Sequence, residues 1–320
     1  MTHELTARLK QLAGKLGADL YGVAPMARYI EAGAPLHMRP DALLPGATCA
    51  VVIAVHHTDA AIELGGEPDP QTQGPYAVQG RMNEKLEHIM FRLGDLLERE
   101  GHRVVGLPAT NIWRFRGRPE EANPFLPDLS NIHAAWLAGL GEIGWSGLLL
   151  SPEFGPRQRL CCLVTDAPLE PSPMYAGEPL CDRCNLCVKH CPTQAFEKEV
   201  RGEVVLSAAG STVRYCEKSK WRCSWAEHFG LDLDLPKPEV ITEEVLLEQL
   251  AQHGVRGGEM GSCLRFCMCA PRRTFDREYT RAPRRKREAP DLERLDEVAA
   301  GVFEFAFDAG ARPYATVSAE

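Results

Sequence analysis

An α+β fold in two main units is the architecture this 320-residue sequence predicts, and three observations predict it. The first half alternates amphipathic helical stretches with short apolar, strand-like runs. A proline-rich stretch from Ala167 to Pro179 then interrupts that alternation and marks a boundary. Beyond it, nine of the twelve cysteines lie between positions 181 and 269.

The elements follow in order. Leu5, Leu9, Leu12 and Leu16 share one helical face, and Gly17 is placed to stop that helix. Asp19 to Ala24 reads as a short strand, followed by a loop with prolines as far as Pro45. Thr48 to Val55 is a continuous apolar run, the pattern of a strand buried on both faces. Cys49 within it reads as a small core residue. Residues 65 to 75 read as a loop. Leu86, Ile89, Met90, Leu93, Leu96 and Leu97 predict an amphipathic helix closed by Gly101. A strand from His102 to Leu107 and a helix from Asn131 to Ala138 come next. Leu148–Leu150 and Arg159–Val164 read as paired strands around a turn at Pro152–Pro156. Cys161 and Cys162 point to opposite faces of the second strand. A further helix is predicted near Glu243 to His253.

Composition narrows the class. The hydrophobic (44%) and charged (25%) fractions are those of a globular chain, and the net charge of −8 gives no general attraction to nucleic acid or anionic lipid. No apolar run approaches the roughly 20 residues of a membrane span. The N-terminus has neither an apolar signal core nor a twin-arginine pair, so the expected compartment is the cytoplasm. There, many cysteines read as metal ligands rather than disulfides.

Cys181-Asp-Arg-Cys184-Asn-Leu-Cys187-Val-Lys-His-Cys191-Pro192 carries the most chemistry. Its C-x2-C-x2-C-x3-C-P spacing matches the ferredoxin signature for a [4Fe–4S] cluster, in which the fourth cysteine serves a second cluster. Zinc knuckles pair two separated C-x2-C units and need no such fourth residue. Zinc or a redox disulfide is the alternative. Cys263-x3-Cys267 repeats the end of the first run. By that symmetry Cys267 completes the first cluster with Cys181, Cys184 and Cys187. Cys191, Cys216, Cys223 and Cys263 then hold the second. Cys269 competes with Cys267, and a single cluster with spare thiols is the plainer alternative.

Gly139-x-Gly141-x-x-Gly144, with Asp166 some twenty residues on, satisfies the dinucleotide fingerprint in letters only. That motif needs a strand before it and a helix after it. Here a helical pattern precedes and a turn and strand follow. Glycines at this density still permit close backbone approach, to a cofactor or to a neighbouring strand.

The stretch from His133 through Gly139-Leu-Gly-Glu-Ile-Gly-Trp-Ser-Gly147 to Pro156-Arg157, followed by the cysteine run, resembles the epoxyqueuosine reductase and reductive dehalogenase superfamily. Tyr76-Ala77, Gly80-Arg81 and Lys85-Leu86 add to the likeness, with Met82-Asn83-Glu84 where epoxyqueuosine reductases carry Asp-Tyr-His. Met260 stands where the usual second run has its first cysteine, and the helical-repeat extension is absent. The resemblance implies a nitroreductase-like cobalamin and substrate domain over residues 1–170. It implies a ferredoxin-like domain with two [4Fe–4S] clusters over 171–275, with a basic stretch and tail over 276–320. Electrons would pass from a donor such as ferredoxin or flavodoxin through the clusters to cobalamin, which reduces a small-molecule substrate. Positions expected to hold cobalamin are His133, Gly139, Gly141, Gly144, Gly147 and Arg157. A proton donor must reach the substrate, and Tyr76, Asp128, His133 and Glu142 are the candidates. A cobalamin-free electron-transfer or partner-binding protein is the alternative. Asn111 to Arg118 mixes aromatics with arginines, as a substrate rim would. Arg272 to Arg287 holds eight Lys or Arg in sixteen residues, a solvated tail or a grip on tRNA phosphates.

Overall fold

The computed structural model describes residues 2–33, 39–63, 75–109, 129–229, 236–253 and 262–269. Helix α1 (Thr2–Lys15) buries Leu5, Leu9 and Ala13 on one face, and Gly17 takes the left-handed conformation just past its end. There follow β1 (Leu20–Pro25), α2 (Met26–Ala32), α3 (Pro40–Leu43), β2 (Cys49–His56), α4 (Asp59–Glu63), α5 (Pro75–Arg99) and β3 (Val104–Gly106). Next come α6 (Asn131–Leu137), β4 (Glu142–Ile143), β5 (Leu149–Leu150) and β6 (Gln158–Thr165). The last elements are α7 (Leu186–Lys189), β7 (Glu203–Ala208), β8 (Ser211–Cys216), α8 (Lys220–Phe229), α9 (Glu243–His253) and α10 (Ser262–Phe266). Among the described residues, no helix is long and apolar enough to cross a membrane.

The main sheet runs β1-β2-β6-β3, with every adjacent pair antiparallel. Strand β2 is buried from Cys49 through Val55, as its unbroken apolar run predicts. Its alternate residues feed two cores. Ala50, Val52 and Ala54 join Trp136 and Leu137 of α6 on one face. Val51, Ile53 and Val55 join Leu9 of α1 and Leu86, Ile89 and Leu93 of α5 on the other. Cys161 and Cys162 fall on opposite faces, as expected, one in each core. Helix cover on both faces explains why an antiparallel sheet carries a strand with no polar side.

One expected pairing is corrected. β5 pairs with β4 rather than with β6, closing a hairpin over the turn Gly144–Gly147. Strand β6 is instead taken up between β2 and β3. Both of its faces are apolar, and only the centre of the sheet buries both. The β7–β8 hairpin and α8 have no counterpart among the sequence expectations. Leu206, Ala208, Val213 and Tyr215 of that hairpin pack against the same core as α6. This contact joins the cysteine-bearing segment to the sheet.

Candidate metal centre

The β4–β5 turn and the cysteine run face each other. Gly144, Ser146, Leu150 and Leu180 wall a cavity whose lining also includes Cys181, Cys184, Cys187 and Cys267. The Cys181 N–H donates to Glu142 Oε1 at 2.5 Å, and the Trp145 N–H donates to Cys181 Sγ at 3.3 Å. Arg183 and Asn185, on either side of Cys184, both adopt left-handed backbone at φ 58° and 60°. Each such non-glycine residue costs on the order of 1–3 kcal/mol. The Cys184 N–H between them donates to Asp182 Oδ1 at 3.3 Å. The Arg183 guanidinium lies 4.2 Å above the Trp145 ring, covering the outer edge.

Burial pushes the Cys187 thiol up to about 12, with Cys263, Cys181 and Cys184 adding to it. Burial also raises Cys267 far above an ordinary thiol, reinforced first by Cys269 and then by Cys187 and Cys181. Thiols crowded in a dry site stay protonated unless a cationic centre takes them, and metal binding then releases the protons. That donor set suits an iron–sulfur core. Among the described residues, no three or more His, Cys, Asp or Glu converge closely enough to hold one metal ion.

Cys263 neighbours Cys223 and Cys191 as well as Cys187 and Cys267. Burial raises Cys263 to about 11; Lys218 opposes this, while Cys223 and Cys191 add to it. The loop after Cys191 is tied to the start of α8. Ser219 N–H donates to the Ala195 carbonyl at 2.8 Å, and Thr193 Oγ1 donates to the Arg222 carbonyl at 2.8 Å. Arg222, only 1% exposed, pairs with Glu199 and donates to the Thr193 and Glu239 carbonyls. The Ala195 N–H donates to Cys191 Sγ at 3.3 Å. His190 stacks on Phe266 with centroids 3.8 Å apart, setting α10 beside α7.

Cys269 and Cys216 do not line the cavity. Cys269 is buried with Leu150 and Leu180, its sulfur 3.7 Å from the Ser151 carbonyl and close to Gly155. Cys216 ends β8 with its N–H on the Trp145 carbonyl, and its electrostatic neighbours are Lys218, Glu217 and Glu203.

The expected cobalamin positions are engaged within the chain. A Cβ at Gly139 would stand 1.8 Å from the Pro173 carbonyl oxygen, and one at Gly141 would stand 1.9 Å from that of Leu150. Gly144 faces the Leu150 side chain, and Gly147, at φ +77°, lies against Tyr215. These glycines permit close approach of the chain's own segments, one of the two uses their density allowed. Arg157 is fully buried, donating to Asp59 Oδ1 at 3.1 Å, the Arg265 carbonyl at 2.9 Å and the Leu264 carbonyl at 3.3 Å. The Cβ directions of Gly139 and Gly141 are thus taken up by the chain's own backbone, and the Arg157 guanidinium by Asp59 and α10. The dinucleotide reading is excluded, since Gly139 follows α6 and Gly144 closes β4. Asp166 pairs with Arg103 at 2.7 Å.

Among the proton-donor candidates, Asp128 and the Tyr76 side chain lie outside the described residues, as do residues 111–118, 272–287 and Met260. Glu142 is raised by burial and accepts from the cysteine run. His133 Nε2 lies 2.9 Å from Tyr215 Oη on the hairpin that sequence reasoning missed. Burial, with the Lys220 ammonium adding to it, lowers His133 to about 4, and burial raises Tyr215 to about 12. A histidine in the unfolded chain titrates near about 6.5. Between that value and about 4 the unfolded state binds more protons, so this contribution to stability is whole above 6.5 and is lost as pH falls toward 4. Unfolding midpoints measured across that interval are expected to fall with acid in the native protein. They are expected to fall less in His133→Gln, which keeps a partner for Tyr215 without a titrating ring.

A mixed helix–sheet protein with a cavity lined by four cysteines is the class that fold and site define. No family model matches the chain. It is 33% identical over 93 residues to an epoxyqueuosine reductase of Listeria monocytogenes, covering 28% of this chain and 24% of that one. It is 27% identical over 161 residues to the epoxyqueuosine reductase of a Synechocystis species, covering 43% of this chain and 55% of that protein. A tetrachloroethene reductive dehalogenase of Desulfitobacterium hafniense is 41% identical over 64 residues, covering 19% of this chain and 12% of that one. Among solved structures, a reductive dehalogenase discussed for B12-dependent dehalogenation aligns over 97% of this chain and 36% of its own, at 18% identity and a TM-score of 0.55. The catabolic reductive dehalogenase NpRdhA aligns over 71% and 30%, at 19% identity and a TM-score of 0.50. The chain thus matches between about an eighth and about half of the length of these curated relatives. Its sequence is similar to segments of both epoxyqueuosine reductases and reductive dehalogenases.

Proposed function

We propose that this chain is an iron–sulfur oxidoreductase of the cytoplasm that carries electrons through two [4Fe–4S] clusters to a reducible centre. The observation that carries this reading is the meeting of Cys181, Cys184 and Cys187 with Cys267, some eighty residues away in sequence, around one walled cavity. In the proposed ligand set these four hold the first cluster, and Cys191, Cys216, Cys223 and Cys263 hold the second. The clusters supply one-electron transfer, at potentials set by hydrogen bonds to sulfur and by exposure. The protein's part is to bring these thiols together on one cavity, to aim the Trp145 N–H at Cys181, and to fix the backbone on either side of Cys184 in left-handed conformation. The division into domains at about residues 170 and 275 belongs to the same proposal, as do the nitroreductase-like and ferredoxin-like assignments.

The superfamily reading makes cobalamin the centre reduced, with a small molecule or a tRNA as substrate and ferredoxin or flavodoxin as donor. His133, Tyr76 and Asp128 remain its proposed proton-handling residues. A second reading, a cobalamin-free electron-transfer or partner-binding protein, is favoured by the engagement of Gly139, Gly141 and Arg157 within the chain. One experiment separates them. Anaerobically purified protein is expected to contain about eight irons and about eight sulfides per chain. Titration with hydroxocobalamin then reports a base-off corrin spectrum under the first reading and no bound corrin under the second. Zinc in place of iron, or no metal at all, would overturn both.

A further inference from the structure

The β4–β5 turn brings to the thiol-lined cavity one group whose bonding is incomplete. Gly147 N–H donates to the Gly144 carbonyl at 2.8 Å, so Trp145 and Ser146 are the central residues of a tight turn. Trp145 already directs its N–H at Cys181 Sγ. Ser146 is 2% exposed and lines the cavity shared by Cys181, Cys184, Cys187 and Cys267. Its backbone is held, because its carbonyl accepts from Lys218 Nζ at 2.8 Å. Its hydroxyl has no hydrogen-bond partner among the described residues.

A buried hydroxyl left without a partner costs on the order of 1–3 kcal/mol, and native proteins leave few of them. A serine here is therefore a net cost to the metal-free chain, which an alanine of nearly the same size would avoid. The cost disappears if an acceptor enters the cavity. The acceptors this cavity is built to receive are sulfurs: thiolates freed of their protons by metal, and the sulfides that come with iron. Both are electron-rich and carry no hydrogen of their own, so they complement a lone O–H donor.

We propose that Ser146 Oγ donates a hydrogen bond to a sulfur of the cluster held by Cys181, Cys184, Cys187 and Cys267, and so raises that cluster's reduction potential. The inference rests on the iron–sulfur reading above. Reduction adds one electron to the cluster, and thus one negative charge beside the donor. The hydrogen bond is stronger to the more negative sulfur and favours the reduced form. Ser146 is thus a positioning and tuning residue; the metal is held by the thiolates.

The test is a reductive titration of the iron-loaded full-length protein with dithionite, followed by electron paramagnetic resonance, in the native chain and in Ser146→Ala and Ser146→Thr. The expected result has three parts. Ser146→Ala keeps its full iron and sulfide content. One of its two midpoints moves to lower potential while the other stays. Ser146→Thr, which keeps the hydroxyl, returns that midpoint toward the native value. Unchanged midpoints in an iron-replete Ser146→Ala would overturn the proposal, as would loss of iron from that variant, which would make the residue structural. Native protein that takes up no iron defeats the underlying reading instead, and does so before any variant is made.

Discussion

Cys267→Ser is expected to lower the iron of the anaerobically purified protein from about eight to about four per chain, while Cys269→Ser leaves it near eight. The two residues stand two apart in sequence, and spacing alone cannot separate them. Their surroundings differ. Cys267 lines the cavity with Cys181, Cys184 and Cys187, and its N–H accepts the helical geometry of α10 by donating to the Cys263 carbonyl at 3.2 Å. Cys269 turns toward Ser151 and Gly155 and is buried with Leu150 and Leu180. Serine in place of a thiolate supplies a poorer ligand to iron, and a cluster that loses one of four attachments is expected to be lost on purification. Cys216→Ser belongs to the same measurement. As the proposed fourth ligand of the second cluster it is expected to lower iron by a similar amount. Retention of all iron would remove Cys216 from the set and leave Cys191, Cys223 and Cys263 as its protein ligands. Iron and sulfide assays with Mössbauer spectra of each variant decide both points.

Arg157→Ala is expected to destabilise the iron-loaded protein by about 3 kcal/mol, the scale of removing one member of a buried ion pair. The guanidinium is fully buried and donates to Asp59 Oδ1, Leu264 O and Arg265 O. The two carbonyls belong to α10, the short helix that carries Cys263 and leads into Cys267. A five-residue helix has little stability of its own, and a cation bonded to its last carbonyls is well placed to hold it. Loss of Arg157 therefore frees α10 as well as weakening the hold on Asp59, and iron is expected to leave the variant faster under a chelator. Arg157→Lys restores the charge but not the planar fork, so only part of the stability is expected to return. Urea unfolding under anaerobic conditions measures the first effect and chelation kinetics the second. Native stability in Arg157→Ala together with weakened corrin binding would assign the residue to a cofactor instead.

Much of this was legible in the chain itself, for reasons that differ by residue. The Cys181–Cys191 run is informative because its ligand spacing is local, and the face of α5 is readable because helical period is local too. The helix α9 and the double burial of β2 follow from the same short-range logic. The β7–β8 hairpin was not readable. Its solvent side interrupts the apolar pattern, and its turn, Ala209-Gly210, adopts positive φ at both residues with no asparagine or aspartate to announce it. With the hairpin went the partner of His133, since Tyr215 lies on it.

The amino-acid order was enough to show a cysteine run with ferredoxin spacing, the alternation of helices and strands before it, and a glycine segment that cannot open a dinucleotide site. Each of these depends on neighbours within about twenty positions. Only the folded chain decided that Cys267 and not Cys269 lines the cavity, that the glycines admit Pro173 and Leu150, and that Arg157 faces α10. Those outcomes depend on which distant segments meet and which way a side chain turns when they do, and they are set by the burial of both sheet faces and the docking of the hairpin.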